Sequence, residues 1–163
     1  MTLAGLLMGP NASRGWRDWQ FAAACAAGPL VWFVLAQGGL PLGDPAWIAQ
    51  SPWRFIWLAV GAPVLEEMVF RGGLQPMLAQ ALAARESRSL HCGFMSSRVA
   101  ANVLTSLVFA AMHLPTHAAL WAASVFVPSL LFGHFRDRHH GVGSPMVLHA
   151  FYNAGYFLLF GGA

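Results

Sequence analysis

The sequence predicts an all-α fold, a polytopic membrane helix bundle of about five membrane segments with broken or kinked helices around a central cavity. Three observations predict it. Hydrophobic residues make up 57% of the 163 residues and charged residues only 9%, and the mean hydropathy is +0.55, outside the usual soluble composition. Apolar stretches of helical length alternate with short polar connections, and helices satisfy their own backbone groups in hydrocarbon. Finally, when the apolar stretches are laid out as alternating spans, Arg14, Arg17, Arg85, Arg88, Arg98, Arg136 and Arg138 fall on one side, Arg54 alone falls opposite, and Arg71 is internal. By the positive-inside rule the N-terminus is cytoplasmic and the C-terminus outside.

The elements follow in order. Met1 to Gly15, with a short apolar stretch from Leu3 to Met8 and no charged region before it, makes a poor signal peptide and is expected to stay attached. A first apolar segment spans Trp19 to Ala36, with Trp16, Trp19 and Trp32 suited to anchoring and Gly28-Pro29 expected to kink it. Gln37 to Pro52 is a turn-rich connection that holds a short turn around Trp47. Trp53 to Ala84 is too long for one straight span, and Gly61, Pro63, Gly72-Gly73 and Pro76 divide it into an entry to Val60, a helix from Pro63 to Gly73 and a continuation. A polar loop runs from Arg85 to Arg98. A third helix covers Val99 to His113, a fourth Ala118 to Phe135, a loop Arg136 to Gly141, and a last helix Pro145 to Phe160. One membrane domain, 1–163, is expected, with residues 1–52 as an N-terminal segment and first helix and 53–163 as the core.

A net charge of +3 from nine arginines against six acids is too sparse for a nucleic-acid surface. The two cysteines, Cys25 and Cys92, provide neither a disulfide framework nor zinc-ribbon spacing.

Chemistry concentrates in Glu66-Glu67-Met68-Val69-Phe70-Arg71. A charge at bilayer depth costs at least about 2.5 to 3.5 kcal/mol on insertion scales, so three so close together need partners, water or a task. In a helix Glu67 and Arg71 stand at i and i+4 and can neutralise one another. Glu66 lies about 100° around the helix without such a partner and is the leading candidate base. The structural alternative is a buried Glu67–Arg71 pair with Glu66 facing water in a pore. Phe109-Ala110-Ala111-Met112-His113 ends the third helix in a histidine, which taken alone is read as bonding a backbone carbonyl, and His149 and Asn153 share a face of the last helix at i and i+4. Such a pair can hold an oxyanion, or can serve only as interhelical polar glue.

These three patterns, in this order, resemble the CPBP family of glutamic intramembrane proteases, the CAAX-processing and bacteriocin-processing type. Residues 66–71 match its EExxxR motif, Phe109 to His113 its FxxxH and His149 to Asn153 its HxxxN. The resemblance implies that Glu66 with His113 activates the attacking water and that His149 and Asn153 stabilise the oxyanion. It makes Glu67, Arg71 and Phe109 supporting residues. It implies a membrane-anchored protein or peptide substrate cut near its C-terminal anchor, a bilayer as the other partner, and a bacterial inner-membrane location. The short chain is similar to members dedicated to C-terminal sorting, such as the JDVT-CTERM type, more than to those that process prenylated CAAX proteins. No cofactor is expected; zinc held by the carboxylates and histidines is the alternative, although no HExxH helix occurs. A non-catalytic peptide-binding or bacteriocin-immunity protein of the same fold, and an ion transporter, are the competing functions.

Other polar residues receive structural readings. His117 is expected in a loop, since Pro115 interrupts its pairing with His113. His91, His134, His139 and His140 lie in or beside arginine-bearing loops. Ser124, Ser129 and Cys25 lack a base nearby in sequence and are not expected to be nucleophiles. Straight alternating helices would leave His113 and His149 well over about 10 Å apart in depth, so tilt, a helix continuing past His113 or a re-entrant turn near Pro115 must bring them together.

Overall fold

The computed structural model describes residues 17–86 and 96–161, and within them every regular element is helical. The expectations for the N-terminal stretch, His91 and Cys92 lie outside the described residues. Helix α1 (Trp19–Gln37) is capped by Asp18, whose side chain accepts from the Gln20 N–H, and it runs unbroken through Pro29. The short helix α2 (Ala46–Gln50) is the turn expected around Trp47.

The stretch expected to break near Gly61 and Gly72 instead forms one helical run from 52 to 86. It is built of α3 (Pro52–Ile56), a π turn (Trp57–Gly61), α4 (Ala62–Glu67), a second π turn (Met68–Leu74) and α5 (Gln75–Glu86). Prolines explain the two wide turns. Pro63 and Pro76 have no N–H to donate and their rings crowd the carbonyl four residues back. An extra residue per turn relieves both problems without ending the helix.

Helix α6 (Ser97–Ala111) is capped by Ser96 and stops two residues before His113. Tight turns from Met112 to Thr116 carry the chain around Pro115, with His113 N–H bonded to the Ala110 carbonyl at 3.1 Å. The fourth helix starts where expected but departs from expectation in its middle and at its end. It is split at Val125 into α7 (Ala119–Ser124) and α8 (Phe126–His139). It then runs through Arg136, Asp137, Arg138 and His139, which the sequence reading placed in a loop. His140 in the left-handed conformation, φ 57°, stops it. Helix α9 (Gly143–Phe160) follows almost at once.

Helix α6 packs between α5 and α8, and α9 packs on α8, α1 and the first π turn. A core of Phe21, Ala24, Phe132, Phe135 and Leu148 joins α1, α8 and α9. Close crossings need glycine. A Cβ on Gly133 would stand 1.9 Å from Asn102 Oδ1, and one on Gly155 2.1 Å from the Trp32 ring.

Burial is inverted relative to a water-soluble protein. Glu67, Arg71, Gln75, Thr105, Ser106, Ser129 and His149 are buried, while Trp53 is 80%, Leu120 85% and Val69 62% exposed. By length and apolarity one helix, α1, is sufficient to cross a bilayer by itself, and the apolar α6 is shorter. The all-α expectation therefore holds among the described residues, whereas about five membrane segments is more than helix length and composition establish.

One polar knot ties three helix ends. Asp18 accepts from the Arg138 guanidinium and from His139 Nε2 at 3.0 Å, while His139 Nδ1 meets Ser144 Oγ at 2.6 Å. His139 is thus buried in a network, not solvated in a loop. The Arg138 hydrogen bond holds the Asp18 carboxyl well below the usual carboxylate range. Ionised Asp18 therefore stabilises the fold above the ordinary carboxyl pKa, and that stabilisation fades as pH falls. Asp18→Asn is expected to lower the unfolding midpoint at neutral pH. The gap to wild type should close progressively as pH drops below about 4, and a gap that stays constant to about pH 2.5 contradicts this account.

Candidate active site

Adjacent residues on a helix point about 100° apart, and on α4 this sends the two glutamates into different surroundings. Glu67 points inward and has no exposed side-chain surface; its Oε1 lies 3.2 Å from Arg71 Nη1, as the i, i+4 spacing predicts. The same oxygen meets His149 Nδ1 at 2.9 Å, a partner that motif spacing did not indicate. Glu66 turns outward, its side chain 35% exposed.

Arg71 is fully buried and is held from three directions. Its Nη2 donates to the Ser129 carbonyl at 2.9 Å and to Ser129 Oγ at 2.6 Å. Its guanidinium carbon sits 4.9 Å from the Phe109 ring centre and 5.5 Å from that of Phe132, so aromatic faces supply part of its counter-field. Glu67 supplies the opposite charge. Ser129 thus serves as an arginine acceptor.

Phe109 is the centre about which the histidines gather. Its ring lies 4.9 Å from that of His113 and 5.8 Å from that of His149. His149 also stacks on Phe132 at 4.6 Å. The depth conflict of straight helices disappears because α6 ends early and the turn after it folds His113 back beside Phe109. The backbone carbonyl of Phe109 then accepts from His113 Nδ1 at 2.8 Å. A carbonyl only accepts, so Nδ1 carries a proton, and in the neutral ring Nε2 presents the lone pair.

Glu66 and His113 share a cavity of about 260 Å³ with Phe70, Phe109, Met112, Thr116 and His117. His149 does not line the cavity, but its Nε2 stands 3.8 Å from Glu66 Oε2. Asn153 does not line that cavity; its amide donates to the Leu58 carbonyl of the first π turn at 3.1 Å. A larger groove nearby, about 360 Å³, is lined by Leu107, Ala110, Ala111, Leu114, Ala119, Ala123 and Phe126 and carries no group able to move a proton. His117 lies in the turn, stacked on Trp121 at 4.0 Å. Among the described residues no three or more His, Cys, Asp or Glu side chains converge as a metal site.

Sequence reasoning missed Ser129, Phe132 and Arg136. All three lie on one face of α8 at i, i+3 and i+7, and that spacing was the available signal. The cavity holds the partly exposed Glu66 carboxylate and the His113 imidazole, with His149 3.8 Å from that carboxylate, the components of general-base hydrolysis.

A family model described as type II CAAX prenyl endopeptidase, Rce1-like, matches residues 48–155. No curated protein and no solved structure matches the chain.

Removing the Glu67 charge strands Arg71 in the interior. Glu67→Gln is expected to lower the free energy of unfolding by about 3 kcal/mol or more, because an uncompensated buried charge remains. Glu66→Gln, at the cavity, should leave unfolding close to wild type. Denaturation of the two purified variants side by side checks this, and equal stability would contradict the assignment.

Proposed function

The chain belongs to the Rce1-like family of type II CAAX prenyl endopeptidases, a family of membrane proteases, and from that premise we propose that it is an intramembrane endopeptidase in which Glu66 and His113 activate water against a peptide carbonyl. The observation that carries this reading is the unequal treatment of the glutamates. Glu67 is neutralised between Arg71 and His149, whereas Glu66 opens into the cavity beside the free Nε2 of His113.

Water held between Glu66 and the substrate gives its proton to the carboxylate as its oxygen adds to the carbonyl carbon. Asn153 lies outside the cavity with one N–H on the Leu58 carbonyl, and its second N–H meets the oxyanion only where the substrate extends past the cavity toward α9. His149 adds a donor at Nε2 when it carries protons on both nitrogens, because Nδ1 is committed to Glu67. On collapse of the tetrahedral intermediate Glu66 or His113 returns the proton to the leaving amine, so that one water becomes a carboxyl and an amine end. No step passes through a metal.

The inverted burial favours a bilayer setting: apolar side chains on α1, α3, α4, α7 and the π turns face outward, and lipid is the medium that accepts them. We place the N-terminus in the cytoplasm of a bacterium on the arginine distribution, with the remaining helices spanning or entering the membrane beside α1. The substrate is a membrane-anchored protein cut near its C-terminal anchor.

The test uses purified protein in lipid vesicles and two internally quenched probes. One ends in a farnesylated Cys-x-x-x sequence, the other in an apolar helix followed by arginines. Wild type should cut at least one probe, and Glu66→Gln should reduce that rate by roughly 10²-fold or more without loss of folded protein. Cleavage should survive chelation by EDTA and phenanthroline. Retained activity in Glu66→Gln rejects the base, chelator-sensitive cleavage rejects the metal-free route, and a wild type that binds both probes but cuts neither points to a peptide-binding protein.

A further inference from the structure

Both π turns leave a carbonyl without a partner in their own helix. At the end of the first, Ala62 N–H bonds to the Trp57 carbonyl; at the end of the second, Gln75 N–H bonds to the Phe70 carbonyl. The following residues are Pro63 and Pro76, which have no N–H. The Leu58 carbonyl therefore loses its i+4 donor to the wide turn and its i+5 donor to proline, and the Arg71 carbonyl loses both in the same way. A buried carbonyl must find another donor. In each case a side chain from a different helix provides it: Asn153 Nδ2 for Leu58 at 3.1 Å and Arg136 Nε for Arg71 at 3.2 Å.

Arg136 reaches further than one bond. Its Nη1 pairs with Asp137 Oδ1 at 2.7 Å, and Asp137 Oδ2 accepts from Gln75 Nε2 at 3.0 Å. Gln75 is the residue whose backbone N–H closes the second π turn. The Arg136–Asp137 pair thus grips that turn at two points, Arg71 in its middle through the backbone carbonyl and Gln75 just past its end through the side-chain amide.

We propose that Arg136 is a positioning residue for hydrolysis, acting through the proline-freed carbonyl of Arg71. Arg136 touches neither the cavity nor its glutamates. By fixing the backbone at Arg71 it sets where the guanidinium meets Ser129 and Glu67, and so the orientation of α4 that aims Glu66 into the cavity. The inference rests on the protease reading for its effect on rate, while the clamp itself stands on hydrogen-bond geometry alone.

The experiment is a double-substitution cycle on the full chain in lipid nanodiscs, with Arg136→Ala, Pro76→Ala and the pair. Replacing Pro76 restores an N–H that can reach the Arg71 carbonyl, so the need for Arg136 should diminish. Thermal unfolding midpoints read the clamp without any substrate. Arg136→Ala should lower the midpoint in wild type and lower it clearly less in the Pro76→Ala background. On whichever quenched probe wild type cleaves, Arg136→Ala should cut kcat by about tenfold or more with KM changed by less than about twofold, and the kcat loss should shrink when Pro76 is also replaced. If Arg136→Ala alone is too unstable, Arg136→Lys, which retains charge and a donor, should fall between the two. Equal midpoint losses in both backgrounds overturn the clamp. A coupled midpoint with unchanged kcat overturns the positioning role. A wild type that cuts no probe defeats the protease reading and the positioning role with it, while the midpoint cycle still decides the clamp.

Discussion

The buried charge of Arg71 is the constraint that the surrounding structure answers. A guanidinium without solvent must find acceptors in several directions at once, since an ion removed from water is tolerated only when paired and hydrogen-bonded. Glu67 comes from one turn earlier, Ser129 from α8, and the faces of Phe109 and Phe132 from α6 and α8. The requirement fixes the mutual placement of four helical segments. Its chemical consequence is that one of two adjacent glutamates is consumed as a counter-ion. The other stays partly exposed and lines the cavity.

The prolines carry the second part of the design. A regular helix from 52 to 86 would satisfy every interior carbonyl along its own axis and would offer its neighbours only side chains. By forcing a wide turn and removing the next donor, Pro63 and Pro76 each expose one carbonyl to another helix. The first orients the Asn153 amide; the second receives Arg136. Departures from ideal geometry are thereby turned into interhelical contacts, which helices in lipid need because apolar packing alone drives them together weakly.

Much of the site was legible as spacing. The i, i+4 relation of Glu67 and Arg71 predicted their ion pair, and the separation of Glu66 from that face predicted its different environment. Helix α1 and the turn around Trp47 were likewise readable, since length, apolarity and proline placement are local properties. The reading failed where the deciding contact is distant in sequence. Arg136 to His139 look like a solvated loop because four polar residues in a row usually are; they are helical because Asp18, Gln75 and the Arg71 carbonyl give them partners from elsewhere. The glycines and prolines between 61 and 76 look like breaks, yet a π turn absorbs each proline. Similarly, no pattern within 145–160 indicates that His149 shares Glu67 with Arg71, a contact 82 positions apart.

Aqueous chemical labelling tests the central claim most directly, that Arg71 and His149 retain Glu67 while Glu66 meets water. The protein in lipid vesicles is treated with a water-soluble carbodiimide and an amine, and mass spectrometry reads the peptide that contains both glutamates. Modification confined to Glu66 is predicted, rising in step with loss of cleavage. Modification of Glu67 while Glu66 stays untouched would contradict the account.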